Sequence, residues 1–80
     1  MQILWNNYIV TNPEILYGKP ILKNTRIPVD LILERLSQGE TIQQLIDAYP
    51  NISEEYVYAC LSYATSLLRN ETVYSIASWS

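Results

Sequence analysis

The positions of the four prolines divide this 80-residue chain into two unlike parts. Pro13, Pro20 and Pro28 all fall in the first part, and each drives the residue before it out of the α-helical region. Residues 1–29 are therefore expected to form short extended pieces and turns. In the second part only Pro50 interrupts the chain, and the apolar residues there change to helical spacing.

A tight turn is predicted at Asn24 and Thr25, because residues 20–29 contain a β-prone piece on either side of this pair. Asn tolerates a positive φ better than most residues, which suits it to such a turn. A two-residue hairpin loop would place Lys23 opposite Arg26. Like charges in that position destabilise a strand pair, which opposes the hairpin.

Three helices are predicted in the second part. Apolar residues at i, i+3, i+4 and i+7 mark the first helix: Val29, Ile32, Leu33 and Leu36. Thr41 and Gln44 form a capping box at the start of a short second helix. Ser53 is expected to cap a third helix that runs to about Arg69.

The break between helices two and three, at residues 49–52, gives the outline of a helix-turn-helix motif with helix one as its support. The expected fold class is mainly α: a three-helix, helix-turn-helix-like (homeodomain-like) domain with a short N-terminal β element. Glu54 and Glu55 at the start of the would-be recognition helix oppose phosphate binding. A DNA reader and a purely structural three-helix unit therefore both stay open.

The apolar content predicts a partner chain. Hydrophobic residues make up 49% of the sequence and charged residues 16%, against about 25% charged in an ordinary soluble domain. A chain of this size buries only about 60–65% of its unfolded surface, so some apolar surface is left over. On helix three, Tyr56, Tyr63 and Leu67 form a flank beside the core stripe. This flank either packs beneath the N-terminal hairpin or forms a homodimer or partner surface, and both interpretations stay open.

Residues 70–80 are predicted to be a C-terminal partner-binding tail, separate from a domain at residues 1–69. They contain Tyr74, Ile76 and Trp79 among small polar residues and a single charge. Such a segment is costly to leave in water, so it either folds back or binds another chain. We favour binding and count these three residues as partner-binding candidates.

Several function classes are excluded by residue type. The chain has no histidine, which rules out imidazole bases, Ser-His or Cys-His nucleophile pairs and Cys₂His₂ metal sites. The acidic residues are scattered, and the single cysteine, Cys60, lies on the apolar stripe of helix three as an inert packing residue. We expect no enzymatic activity, no cofactor and no metal. Without a disulfide pair, a signal peptide or an apolar run of roughly 20 residues, the chain is expected to be cytoplasmic and outside the membrane.

Charge is unevenly distributed within a net total of −3. The first 29 residues hold three basic and one acidic side chain, whereas the rest hold two basic and seven acidic ones. The acidic total opposes binding to nucleic acid through bulk charge. If nucleic acid is bound, the candidates surround the predicted turn: Lys19, Lys23, Thr25 and Arg26. The alternative is an exposed hairpin kept soluble by its charges, with Arg26 paired to an acid of helix one such as Asp30.

Five blocks of the sequence together match a known pattern: residues 17–29, 32–36, 39–42, 49–57 and 59–64. These blocks resemble the DUF433 family over about residues 9–65, most specifically in the Gly-Lys-Pro to Thr-Arg-Ile block. Tyr17 and Asn24 stand where the family usually has glycine. Since Asn is the next best residue at positive φ, the turn at Asn24 is expected to survive.

The resemblance implies a small helix-turn-helix-like protein, often dimeric, that acts as an antitoxin. The expected function is that of a bacterial type II antitoxin, which neutralises a PIN-like ribonuclease toxin encoded by the adjacent gene and also binds its own promoter DNA. We expect a homodimer through the N-terminal β element and the flank of helix three, and toxin binding through the tail. The alternative is a stand-alone helix-turn-helix DNA-binding transcriptional regulator.

Overall fold

The computed structural model describes the backbone of residues 3–79 and the side chains of residues 3–69. Two short strands precede three helices: β1 (Ile9–Val10), β2 (Ile21–Leu22), α1 (Val29–Ser37), α2 (Ile42–Ala48) and α3 (Glu54–Trp79). Single 3-10 turns lie at Trp5–Asn7 and Leu16–Gly18. The predicted class, mainly α with three helices and a short N-terminal β element, is confirmed.

The two strands pair antiparallel, with Ile9 opposite Leu22 and Val10 opposite Ile21. The chain then turns back, so that the Leu22 amide donates to the Ile27 carbonyl at 2.9 Å and Ile21 forms a bridge with Pro28. This is the register that a turn centred on Asn24 and Thr25 predicts. The predicted two-residue loop is wrong, however, because residues 23–26 all lie outside the strands.

The turn at residues 22–25 is formed by a residue with positive φ and is stabilised by hydrogen bonds of the Thr25 side chain. Asn24 has φ +65°, which confirms the expected left-handed residue. The Thr25 hydroxyl donates to the Leu22 carbonyl at 2.7 Å and accepts from the Ile27 amide at 3.0 Å. The Tyr56 hydroxyl donates to the Lys23 carbonyl at 3.2 Å, so the turn is also fastened to α3.

A capping box at the start of α2 and a hydrogen-bond network around Arg35 together position this helix. The Thr41 side chain accepts from the Gln44 amide, and the Gln44 side chain accepts from the Thr41 amide, which confirms the predicted capping box. Arg35, near the end of α1, donates to both carboxylate oxygens of Glu40 at 2.6 and 2.9 Å and to the Tyr49 hydroxyl at 2.8 Å. This network joins the ends of α1 and α2 across the short connection between them.

The N-terminal 3-10 turn, β1, α1 and α2 all pack against α3. Fully buried side chains from β2, α1, α2 and α3 meet in a single core: Leu22, Ile32, Leu45, Val57 and Cys60. The 3-10 turn near the N-terminus and β1 close the core from the other side. The sheet and the three helices therefore form one packing unit around the first half of α3.

Helix α3 is longer than predicted. The sequence predicts an end near Arg69, whereas the helix continues to Trp79. Residues 70–79 contain no proline or glycine that would stop it. The side chains of Tyr74, Ile76 and Trp79 lie outside the described residues. Over the part of the chain that the structure describes, no helix is both long enough and apolar enough to cross a bilayer.

Replacing Tyr17 by glycine is expected to raise the free energy of unfolding by up to about 1 kcal/mol. Tyr17 has φ +57° and a fully exposed side chain, so the change removes left-handed strain without removing packing. The strain costs about 1–2 kcal/mol, and the greater freedom of unfolded glycine offsets about 0.5–1 kcal/mol of the gain. Urea unfolding of Tyr17→Gly measures the difference. Tyr17→Ala is the control, because it keeps the Cβ; a glycine variant no more stable than the alanine variant contradicts the strain.

Candidate partner-binding groove and basic turn

The N-terminal segment already covers much of the predicted flank on α3. The rings of Trp5 and Tyr63 meet edge to face with centroids 4.8 Å apart, and those of Tyr8 and Tyr56 with centroids 5.2 Å apart. Both flank tyrosines are half-buried by these contacts. Leu67, by contrast, is 47% exposed. These contacts resemble the first of the two interpretations, with Trp5 and Tyr8 rather than the hairpin itself against the rings, and a partner-binding role for the two tyrosines stays a prediction.

An apolar groove of about 380 Å³ runs between the start of α1 and the middle of α3. We call it the helix groove. Its apolar walls come from the residue before β2, from α1 and from α3: Pro20, Val29, Leu33, Tyr63, Ala64 and Leu67. It brings two of the three predicted flank residues, Tyr63 and Leu67, to one surface and leaves Tyr56 elsewhere. The sequence places the α1 residues in the core stripe and does not indicate that they also line a surface groove.

An ion pair between Lys19 and Asp30 forms the rim of the helix groove, with Nζ 3.2 Å from Oδ2. Both side chains are well exposed, so the pair contributes little to stability. The alternative pairing of Arg26 with Asp30 is not found among the described side chains, where Lys19 is the partner of Asp30. The set of nucleic-acid candidates is thereby divided, since Lys19 lies at a different groove from the other three.

A second, more open groove of about 520 Å³ lies beside the turn. We call it the turn groove. Its floor is aliphatic and its rim is polar, with Val10, Ile15 and Ile21 below and Asn12, Lys23, Asn24, Thr25 and Arg26 around them. The Thr25 hydroxyl is engaged within the turn, as described above. Lys23 and Arg26 are exposed, and neither forms an ion pair with any side chain of residues 3–69.

The start of α3 is acidic. Glu54 and Glu55 are exposed in its first turn, and a hydrogen bond from the Ser53 side chain lowers the pKa of Glu55. The charged form of the carboxylate is thereby favoured beside the positive end of the helix dipole. A phosphate approaching this end of α3 would meet negative charge.

Cys60 is buried in the core, which confirms the prediction that it is a packing residue. Burial raises the pKa of its thiol to about 12. A thiol with a pKa raised by burial stays protonated at neutral pH, which makes it a poor nucleophile. In the Arg35 network, the pKa of the Arg35 guanidinium is raised above its usual value. The hydrogen bond to Glu40 is the larger cause, and the hydrogen bond to Tyr49 is the next.

Residues 9–64 match the model of a family described as proteins of unknown function, DUF433. The chain belongs to the DUF433 family. An uncharacterized protein, y4eO of Sinorhizobium fredii (strain NBRC 101917 / NGR234), is 27% identical over 56 residues, which are 70% of this chain and 25% of that protein. The chain thus spans about a quarter of the length of this relative.

A crystal structure of a DUF433 member from Anabaena variabilis ATCC 29413 is similar to this chain with a TM-score of 0.74 and 28% sequence identity. The similarity covers 80% of this chain and 63% of that one. The DUF433 match includes the turn, the Arg35 network and the first part of α3, whereas residues 65–80 lie outside it. Leu67 and the three tail residues are therefore features of this chain beyond the part that the family model matches.

The stability of the protein is expected to fall between about pH 9 and pH 12 because of Cys60. The thiol titrates near about 8.5 in an unfolded chain and near 12 in the folded one, so only the unfolded state loses its proton in this window. The thiol's contribution is full below the unfolded pKa and is lost as the pH rises through the folded pKa. Urea unfolding at several pH values measures the difference in the free energy of unfolding between the natural protein and Cys60→Ala. This difference should narrow as the pH rises through the window. A constant difference would contradict the raised pKa.

Proposed function

We propose that this DUF433 protein acts by binding another protein, as a non-enzymatic, cytoplasmic antitoxin of a type II toxin–antitoxin pair. The observation that carries the proposal is the helix groove, an apolar surface on a small domain whose charged content is only 16%. Leu67 is about half exposed at its edge, and burying the remainder would stabilise a complex by about 1 kcal/mol. Apolar grooves between helices are common binding sites for an amphipathic segment of a partner protein.

The kind of partner is inferred from the family resemblance rather than from the groove. Proteins with this pattern are suggested to neutralise a PIN-like ribonuclease encoded by the adjacent gene. Because α3 continues beyond the helix groove to Trp79, the helix provides a second contact region in the tail. We propose that the protein is a homodimer and that Tyr74, Ile76 and Trp79 contribute to toxin binding.

Three observations support the absence of catalysis in this proposal. Within the described residues no three His, Cys, Asp or Glu side chains lie close enough together to hold a metal ion. The thiol of Cys60 is buried and protonated. The described carboxylates of α1, α2 and α3 are exposed, as is Glu14, and Glu40 is paired with Arg35. None of these described carboxylates lies in the apolar setting that a paired acid and base require.

A second candidate function is DNA binding, for autoregulation or as a separate regulator. The turn favours it, because Lys23 and Arg26 are exposed and unpaired among the described side chains. The acidic start of α3 opposes it, since a recognition helix with Glu54 and Glu55 in its first turn would repel phosphates. Any DNA contact would therefore be made through the turn rather than through α3.

Leu67→Glu is expected to weaken binding of the adjacent gene's product about tenfold, because it places a charge against the apolar groove. Co-purification after co-expression, followed by titration calorimetry, measures this. Leu61→Glu is the matched control, because Leu61 lies on the same helix with 41% exposure and does not line the groove. Equal losses in both variants contradict a role for the helix groove. A full chain that recovers no partner contradicts the proposed function, and a chain ending at Arg69 that binds fully contradicts a role for the tail.

Lys23→Ala and Arg26→Ala are each expected to weaken binding to the protein's own promoter if DNA is a ligand. Each change removes about one phosphate contact, so the slope of log affinity against log salt should fall by about 1 per substitution. Electrophoretic mobility shifts at several salt concentrations measure the slope. Arg69→Ala, which changes net charge equally at the exposed end of the described side chains, is the control. If neither substitution at the turn weakens DNA binding, the turn is not the DNA-binding site.

A further inference from the structure

We propose that the turn groove is a second protein-binding site, which takes an extended segment of the partner that carries carboxylates beside an aliphatic side chain. This inference depends on the proposed function only in that the chain acts by binding a protein. The site is distinct from the helix groove, because the two grooves share no lining residue.

The floor of the turn groove specifies an aliphatic ligand group. Val10 and Ile15 are half-buried, and Ile21 beneath them is buried. A polar or charged group placed on this floor would lose its water without gaining a hydrogen bond. The groove, about 520 Å³, is more open than the helix groove, so it suits an extended segment laid along the surface rather than an enclosed small molecule.

The rim specifies negative charge. Lys23 and Arg26 supply cationic donors, and no acidic side chain lines the groove. The Asn12 side-chain oxygen accepts from the Glu14 amide at 2.9 Å, which leaves the two N–H donors of its amide group for a ligand. The rim therefore offers mainly donors, and its complement is a carboxylate or phosphate oxygen.

The floor and the overall charge favour a protein segment over nucleic acid. No aromatic ring lines the groove, so bases have no stacking platform there. Two cations on a chain of net charge −3 neutralise few phosphates, whereas nucleic-acid affinity grows with the number neutralised. An acidic segment with one aliphatic side chain uses both the rim and the floor at once.

The test is an amide NMR titration of the full chain with short synthetic peptides. One pool alternates Glu or Asp with Leu, Ile or Val, and a neutral pool replaces the acids by Gln or Asn. A short DNA duplex is titrated in parallel. We expect the acidic pool to shift the amides of residues 10–15 and 21–26, and the neutral pool to bind at least about fivefold more weakly.

Variants separate the rim from the floor. Arg26→Gln is expected to weaken the acidic pool about fivefold and to reduce the salt dependence of binding. Ile15→Thr is expected to weaken it to a similar degree with unchanged salt dependence, because it removes apolar contact. Arg69→Gln alters the net charge as Arg26→Gln does, yet lies outside the groove, so it should bind like the natural protein.

Three outcomes overturn the inference: no shift with either pool, equal losses for Arg26→Gln and Arg69→Gln, or DNA that binds at the turn more tightly than the acidic peptides. The proposed function is judged separately by co-purification with the adjacent gene's product. If that product binds the natural protein and Arg26→Gln equally well, the function stands and the turn groove is not its site. If the acidic peptides bind but that product does not, the groove stands and the antitoxin function fails.

Discussion

Burial of one face of α3 is the interaction on which the rest of this small domain depends. Val57, Ala59 and Cys60 are fully removed from solvent on that face, and the N-terminal 3-10 turn, β1, α1 and α2 all pack against the helix. None of these elements is stable alone. A ribbon with two residues in each strand and helices of seven and nine residues are too short to persist in water. The helix groove is therefore a consequence of how the start of α1 is placed on the long helix, whereas the turn groove is formed within residues 10–26.

The pairing of the basic side chains decides which surface can attract an anion. Arg35 is held by Glu40 and Tyr49 and joins α1 to α2, so its charge serves the fold. Lys19 is paired with Asp30 at the rim of the helix groove. Only at the turn do two exposed cations lie together without an acidic partner among the described side chains. The part of the chain with described side chains thus presents the apolar helix groove and a small basic surface at the turn.

The aromatic residues have a more internal role than their abundance indicates. Tyr and Trp are favoured at interfaces, yet Trp5 and Tyr8 pack edge to face on Tyr63 and Tyr56 within the chain. Tyr56 also donates a hydrogen bond to the turn, which links the basic surface to α3. The apolar excess seen in the composition is thereby partly used to attach the N-terminal segment. Among the described side chains, the large apolar residues left exposed lie both on α3 and in the N-terminal part: Leu61, Leu67, Leu68, Leu4, Leu16 and Tyr17.

Local signals in the sequence determined the three helices, the capping box at Thr41, the left-handed turn at Asn24 and the burial of Cys60. Each of these depends on residues close together in the chain, where steric preferences and hydrogen-bond geometry act directly. Tertiary structure alone decided that Lys19 pairs with Asp30, that Tyr56 and Tyr63 are covered by residues 3–8, and that Asn12 and Ile15 meet the turn to form a groove. These contacts join different elements of the fold, and their geometry follows from how the N-terminal part folds on itself and on α1 and α3. No local pattern records that packing, so the two grooves become visible only when the chain is folded.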